Sequence, residues 1–488
     1  MDSTAFARRT FQWDDQHCFA ALSGDHNPMH MDAIFARRTQ AGRPVVHGVH
    51  CLMWMLDRFF QEQSVSKFVS RIQCKFAKLV YLEEEVEVYF ELKDGARWVL
   101  QAKVGETVVL LAAVTFGDSQ SAPRAESERG NSVWETEPIA REFADAAKLT
   151  GSLEIKASPA IETLFPWASR VMSPIRMAAL AGMSRWIGMV NPGLHSVFTG
   201  LDLFCFDNLS SSLQFKVANA DERYRRLRQE VRGCGFFGTV DSLLRRPPVQ
   251  QASMQRVRTV VSAGEFSSLV ALVIGVSRGL GEVTAKLIAA GGGRVVGTYA
   301  VGQAEAEHVA SEIRESGGTC EILPFRLAPS SSENLPLLPD GINCLFYFAT
   351  PPVVAKSSPD FDRELFDSYI DFYATGFAKL CSMIAAGNGH GVCALYPSTI
   401  YVEADRPANL TEYAMAKAAG EVLCSEMPRK LPRLTAIFRR IPRVLTDLSA
   451  SAFVSDYEDP LNVMLPIVRE VCSVVSSPNG AVPNGDAE

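Results

Sequence analysis

Residues 268–300 read SLVALVIGVSRGLGEVTAKLIAAGGGRVVGTYA. A short apolar run ends in a glycine-rich turn, a helix-forming stretch follows, and a second apolar run closes the unit. Apolar strands without polar alternation are buried on both faces, as in parallel sheets covered by helices. The pattern continues: NCLFYFAT, GVCALYPST and LTAIFRRI are further short apolar runs with helical stretches between them. Segment 257–475 is therefore expected to be an α/β, Rossmann-type doubly wound sheet.

The 488 residues exceed one ordinary core, and 47% are hydrophobic, enough for several. Ahead of residue 257 the pattern differs. In segment 1–116 the stretch VHCLMWMLDRFF after Gly48 is apolar nearly all round and reads as a buried helix. The runs KFVSRIQCKFAKLV, EEVEVYFELK, WVLQAKVG and TVVLLAAVTFG read as antiparallel strands that can wrap it. Segment 133–248 repeats that order, with RMAALAGMSRWIGMV (176–190) as helix and LHSVFTGLDLFCF, SLQFKV and QEVRGCGFFGTVDSLL as strands. The polar stretch GDSQSAPRAESERGNS (117–132) reads as a linker, RRPPVQQASMQR (245–256) as a second boundary, and 476–488 as a disordered tail.

A formal charge of −7 argues against general nucleic-acid binding, and the basic run RYRRLRQEVR (223–232) reads as a solvated strand or helix face. Eleven Cys without C-x-x-C pairs read as buried free thiols of a reducing compartment. MDSTAFARRTFQWDD lacks the apolar core of a signal peptide, and no run of eighteen apolar residues exists to span a membrane. A cytoplasmic location is expected.

Residues 23–30, SGDHNPMH, concentrate reactive side chains. Asp25 and His30 lie five apart, and Pro28 stiffens the loop and keeps it out of a regular helix. A carboxylate and an imidazole held together can activate one water and move one proton. Asn27 can position that water or the carboxylate. Gly48 opens the apolar helix, where its N–H can face a ligand at the positive end of the helix dipole. An oxyanion developing on a thioester carbonyl would be stabilised there by roughly 3 kcal/mol. Two other readings fit the same residues: plain turn residues with His30 on the surface, or a metal gathered by His26, His30, His47 and His50, though no Cys partner fixes a tetrahedral set.

The stretch FAALSGDHNPMHMDAIFARRTQAGRPVVHGVHCLMWM resembles the MaoC-like, (R)-specific enoyl-CoA hydratases, which have a hot-dog fold. The resemblance implies that Asp25 and His30 are the acid/base pair, that Asn27 completes the motif, and that Gly48 is the oxyanion glycine. His47 would be structural, and no metal would be needed. Segment 133–248 lacks the motif, and His195 in NPGLHS reads as a strand-start residue. By analogy with two-unit hydratases it would be a degenerate second unit, making the N-terminal region an α+β double hot-dog.

In the C-terminal segment Gly275, Gly279 and Gly281 follow an apolar strand and open a helix, where a pyrophosphate can approach closely. Tyr413 and Lys417 share one helix face, and an ammonium beside a phenol lowers the phenol pKa. Ser398 ends a strand and can bind the same substrate oxygen. The segment resembles the short-chain dehydrogenases/reductases. That implies a catalytic Ser398, Tyr413 and Lys417, with the turn Gly275, Ser277, Arg278, Gly279, Leu280 and Gly281, together with Tyr413 and Lys417, holding the cofactor. The segment departs from the family in three places. FATPP (348–352) replaces the usual N-A-G turn, Tyr373 falls where the family has a helix Asn, and the Ser398–Tyr413 spacing is two residues longer than usual. No acid ends the second strand, VVGTYA, and Arg278 can meet a 2′-phosphate, so NADPH is expected over NADH.

The two resemblances imply a bifunctional enzyme on (R)-3-hydroxyacyl thioesters of CoA or acyl carrier protein, with a homodimer expected. The alternatives are a reductase for another ketone, of polyketide or sugar-nucleotide type, or a non-catalytic nucleotide-binding module.

Overall fold

The computed structural model describes residues 5–63, 67–118, 135–207, 209–327, 338–351, 353, 360–387, 389–403, 410–449 and 456–477. The linker expected at 117–132 lies almost wholly outside the described residues, as do residues 478–488 of the expected tail. The chain divides into two compact units at Pro247/Pro248.

The first unit holds one ten-stranded sheet. Its strands are β1 (Ala7–Thr10), β2 (Val69–Phe76), β3 (Glu85–Asp94), β4 (Arg97–Val104), β5 (Thr107–Phe116), β6 (Thr150–Glu154), β7 (Ser196–Cys205), β8 (Ser212–Asp221), β9 (Arg226–Gly233) and β10 (Phe236–Leu244). They lie in the order β1-β3-β4-β5-β2-β7-β10-β9-β8-β6. Every pairing is antiparallel. The two halves join where β2 runs beside β7, and there Arg71 donates to both carboxylate oxygens of Asp202 at 2.7 and 2.6 Å. Strand alternation follows the sequence. In β9 Leu227, Gln229 and Val231 point inward while Arg226, Arg228 and Glu230 face solvent, so the basic run is a solvated strand face.

Each half contributes a helix that its strands cover. Gly48–Gln63 is buried on almost every side, from Val49 to Phe60. Its counterpart, Pro174–Arg185, continues into a π-helical turn, Trp186–Val190. Both halves feed one continuous apolar core. Asp57, on the first helix and 1% exposed, ties the halves further. Its Oδ1 accepts the Trp167 and Ala168 amides at 2.8 and 3.0 Å, capping the first turn of the helix Pro166–Met172.

Three features escaped the sequence reading. The strands β1 and β6 are short and sit at the sheet's edges. The single run QEVRGCGFFGTVDSLL is a hairpin, turned at Cys234 and Gly235 with φ of 53° and 78°. Pro28 does not keep its segment out of a helix. It occupies the first position of a short one, Pro28–Met31, where its missing N–H costs nothing.

The second unit is built on β11 (Val270–Ile274), β12 (Arg294–Tyr299), β13 (Thr319–Pro324), β14 (Cys344–Tyr347), β15 (Val392–Thr399) and β16 (Leu434–Ile441). All are parallel, in the order β13-β12-β11-β14-β15-β16. Successive residues of β11 enter two different cores, Ala271 and Val273 on one face and Leu272 and Ile274 on the other. That explains the unbroken apolar run. The strand order reverses between β11 and β14, which opens a crevice at their carboxyl ends. All eleven Cys are free, and most are buried.

All six Trp precede residue 247, so Trp fluorescence reports the first unit alone. Asp57→Ala leaves two helix amides unpaired in a buried setting. We expect it to lower that unit's stability in urea by about 1–3 kcal/mol. An unchanged midpoint would show that the cap does not tie the halves.

Candidate active sites

In the first unit the helix Trp13–Ser23 ends at Gly24, whose φ of 76° turns the chain into the motif loop. Ser23 Oγ accepts the Asp25 amide at 3.1 Å. Asn27 caps Pro28–Met31 by accepting the Met29 amide at 3.0 Å. Its own amide donates to the carbonyls of Gly188 at 2.7 Å and Leu194 at 3.2 Å. Asn27 therefore fixes the loop to the second half, rather than reaching for the Asp25 carboxylate.

His30 lies on the same short helix. Its Nδ1 donates to the Val45 carbonyl at 2.8 Å. A carbonyl only accepts, so the proton sits on Nδ1 and Nε2 is left as the basic nitrogen. Gln16 braces this arrangement, donating to the His30 carbonyl at 3.0 Å and the Val45 carbonyl at 2.8 Å. Burial pushes the His30 pKa down, partly offset by the nearby Asp25.

Asp25 is 2% exposed. Its Oδ2 accepts the Ser184 hydroxyl at 2.7 Å and its Oδ1 the backbone N–H of Asn27 at 3.2 Å. Burial raises its pKa, against the opposing pull of His30 and these two hydrogen bonds. The neutral imidazole and reluctant carboxylate make a pair through which one proton can pass.

The four-histidine grouping does not assemble. His26 is exposed, and His50 stacks on Phe19 at 4.7 Å, where burial pushes its pKa to about 3. Among the described residues Asp25, His30 and His47 offer ligand atoms within 4.8 Å of one another. However, His47 lies face to face with His30 at 3.9 Å and spends Nε2 on the Asp25 carbonyl at 3.0 Å. Rings stacked in this way do not aim two lone pairs at one point. His47 instead holds the loop backbone.

Asp25, His30 and Gly48 line one pocket, whose other walls are largely apolar. Gly48 opens its helix there, and a Cβ would meet the Phe76 ring at 2.9 Å. The second half supplies Ser184, Ile187, Gly188 and Phe198 to the same pocket. A Cβ on Gly188 would lie 2.3 Å from Asp25 Oδ1, so the carboxylate occupies the space of the missing side chain. Ser184 and Gly188 were not foreseen. Their one signal was a hydroxyl and a glycine four apart in a largely apolar stretch. His195 is buried just ahead of β7 and does not line the pocket.

In the second unit the glycine turn follows β11. Gly275 and Gly279 have φ of 89° and 61°, and a Cβ on Gly281 would lie 2.0 Å from the Gly275 carbonyl. These positions need glycine. Ser277, Arg278 and Leu280 are partly exposed along the turn. Arg278 Nη1 lies 3.6 Å from Asp447 Oδ2, so an internal carboxylate partly holds it.

Tyr413 and Lys417 sit on the helix Thr411–Lys430. Lys417 Nζ donates to the Pro397 carbonyl at 2.7 Å, and burial lowers its pKa to about 7. The ammonium was expected to lower the Tyr413 pKa. Burial instead pushes the phenol up, against the pull of the Thr399 hydrogen bond. The Ser398 hydroxyl donates to Glu421 at 2.5 Å, and the Thr399 side chain hydrogen-bonds the Tyr413 phenol. Of the FATPP turn, Pro352 lies outside the described residues.

Residues 3–114 match the family described as MaoC like domain. Over 96 residues the chain is 35% identical to the peroxisomal multifunctional enzyme type 2 of Mus musculus, covering 19% of this chain and 13% of that enzyme. The chain thus spans about an eighth of that curated relative's length. Among solved structures, a short-chain dehydrogenase from Burkholderia cenocepacia J2315 in complex with NADP is similar at 19% identity and a TM-score of 0.38, covering 44% of this chain and 95% of that one. A short-chain dehydrogenase/reductase from Serratia marcescens BCRC 10948 is similar at 20% identity and 0.38, covering 45% and 94%. The N-terminal region is a MaoC-like domain, and the chain's structural neighbours are short-chain dehydrogenases/reductases.

Gly188→Ala is expected to displace Asp25 and lower first-unit turnover by about 10²-fold or more, the scale of a lost acid/base group. Wild-type rates for Gly188→Ala would show that Asp25 does not need this gap. In the second unit Thr399→Ala should cost at least tenfold in kcat, ~1.4 kcal/mol of barrier, and more than Ser398→Ala. The opposite order would return the role to Ser398.

Proposed function

We propose that the chain is a bifunctional enzyme on (R)-3-hydroxyacyl thioesters. The first unit reversibly hydrates trans-2-enoyl thioesters, and the second interconverts 3-hydroxyacyl and 3-oxoacyl thioesters with NADP(H). Segments 1–116 and 133–248 form a double hot-dog, its second half degenerate, and 257–475 is the doubly wound reductase domain. The observation that carries the reading is a buried carboxylate and a neutral imidazole in one largely apolar pocket that opens on the Gly48 helix start.

In hydration the thioester carbonyl faces the Gly48 N–H, which holds the negative charge that develops on its oxygen. His30 Nε2 takes a proton from water as the water oxygen bonds to C3. The Asp25–His30 pair returns a proton to C2 from the same face, so addition is syn. Asp25 orients the water, Asn27 and Gln16 hold the loop, and the apolar walls take the acyl chain. The substrate is carried on CoA or acyl carrier protein.

In the second unit Gly275, Gly279 and Gly281 give a pyrophosphate close access to the helix Gly279–Ala290, with Ser277, Arg278 and Leu280 beside it. The bound nicotinamide cofactor supplies the hydride. Tyr413 exchanges a proton with the substrate oxygen, Thr399 orients the phenol, and Lys417 meets the ribose. The absence of an acid at the end of β12 supports NADPH over NADH, with Arg278 leaving Asp447 for the 2′-phosphate. A homodimer in the cytoplasm is the proposed state; among the described residues no helix is long and apolar enough to cross a membrane.

The test is loss of the conjugated-enone absorbance of crotonyl-CoA, followed by NADP+. Wild type is expected to hydrate it and then form NADPH, and Asp25→Asn to lose about 10²–10⁴ in rate. A folded-state pKa raised above the unfolded value means that ionised Asp25 costs stability. Asp25→Asn should therefore raise the Trp-reported midpoint at neutral pH, with the gain shrinking as pH falls through the Asp25 pKa. Hydration without NADPH would favour another ketone or a non-catalytic module. No hydration of any enoyl thioester would overturn the acid/base reading.

A further inference from the structure

Lys417 is a buried ammonium that, among the described residues, has no carboxylate against it. Glu421, one turn further along the helix, is taken by Ser398 and by Nε and Nη2 of Arg440 at 3.0 and 2.8 Å. One hydrogen bond, to the Pro397 carbonyl, serves a group with three donors. Tyrosine rings from three elements surround the rest. Nζ lies 4.0 Å from the Tyr373 centroid, 5.1 Å from Tyr396 and 5.9 Å from Tyr413.

The surrounding structure is shaped for this enclosure. Tyr373 stands on a π-helical turn, Asp371–Gly376, whose Phe372 carbonyl accepts the Tyr347 phenol at 2.5 Å. The Tyr373 hydroxyl is spent on Thr350 at 2.5 Å, which fixes the ring and leaves its face to the ammonium. Its edge-to-face contact with Tyr413, 5.6 Å and 79°, links it to the proposed proton donor. Gly420 completes the enclosure, because a Cβ there would lie 2.1 Å from the Tyr396 ring that passes beneath. A ring face within about 6 Å attracts a cation, most strongly where water is excluded.

We propose that Tyr373 is a positioning residue of the reductase site, the face of its ring holding the Lys417 ammonium where the resembling reductases place an amide. The proposal rests on the reductase reading of the second unit. It makes the hydroxyl of Tyr373 dispensable and its ring indispensable.

Tyr373→Phe keeps the ring, and Tyr373→Met keeps bulk without a π face. Both lose the phenol hydroxyl, so a difference between them belongs to the ring. In the full-length enzyme Tyr373→Phe should hold kcat for a 3-oxoacyl thioester and the NADPH Kd within about threefold of wild type. Tyr373→Met should lower kcat at least tenfold with the thioester KM unchanged. Thermal unfolding followed by circular dichroism, with the first unit assigned from Trp fluorescence, supplies a readout without turnover. The gap in second-unit midpoint between the two variants should vanish in a Lys417→Met background. A gap that persists there, or equal turnover by the two variants, overturns the proposal. If Tyr373→Met does not fold, progressively fluorinated phenylalanines at 373 keep the shape and weaken the face. A graded loss supports the proposal, and a flat series overturns it. Wild type inactive on every 3-oxoacyl thioester would overturn the reductase reading alone, and the unfolding cycle would still decide the ring.

Discussion

The first unit depends on keeping a carboxylate inside an apolar core. A buried carboxylate is tolerated only where hydrogen bonds replace its water. Asp25 receives them from Asn27 in its own loop and from Ser184 in the other half. Ser184 reaches it because Gly188, one turn further on, has no side chain in the way. The half without an acid/base motif is therefore not a spacer: it completes the environment of the acid. The same logic accounts for Asn27, which spends its amide on the Gly188 and Leu194 carbonyls and so fixes the distance between loop and helix.

The second unit meets the same problem with the opposite charge. Among the described residues Lys417 has one carbonyl and three tyrosine rings in place of an acid partner. A carboxylate there would hold the lysine charged and compete for its protons. Aromatic faces stabilise the cation more weakly, and burial brings its pKa to about 7. Such a lysine can change charge near neutrality, and a ligand hydroxyl can recruit its free donors.

Much of this was legible in the sequence because backbone constraints are local. A glycine that must adopt positive φ, an apolar run buried on both faces and a helix apolar all round each leave a signature within a few residues. Gly275, Gly279, β11 and the Gly48 helix were read that way. Asp25 and His30 were legible because their spacing brings them together without help from distant residues. The partners that act across long separations were not. Ser184 lies 159 residues from Asp25, and nothing around it announces that contact. The Thr399 hydrogen bond to Tyr413 was not foreseen, because composition does not show how a strand end twists. Tyr373 was visible only as a misfit, and its meaning came with the ammonium above its ring. The edge strands β1 and β6 were too short to show a period.

The division of labour in the first unit has a physical consequence for its chemistry. The acid/base loop is bound to both halves, so its geometry cannot drift without breaking Asn27, Gln16 or Ser184 hydrogen bonds. The apolar walls are not bound in this way: Ile187, Val197 and Phe198 of the second half line the pocket by packing alone. Packing tolerates changes of similar volume, whereas a buried hydrogen-bonded charge does not tolerate loss of a partner. Room in the pocket can therefore change through the second half while Ser184 and Gly188 hold the Asp25 carboxylate in place. A half freed from supplying its own loop is well suited to that adjustment, since no residue of its strand β7 has to keep a proton in position.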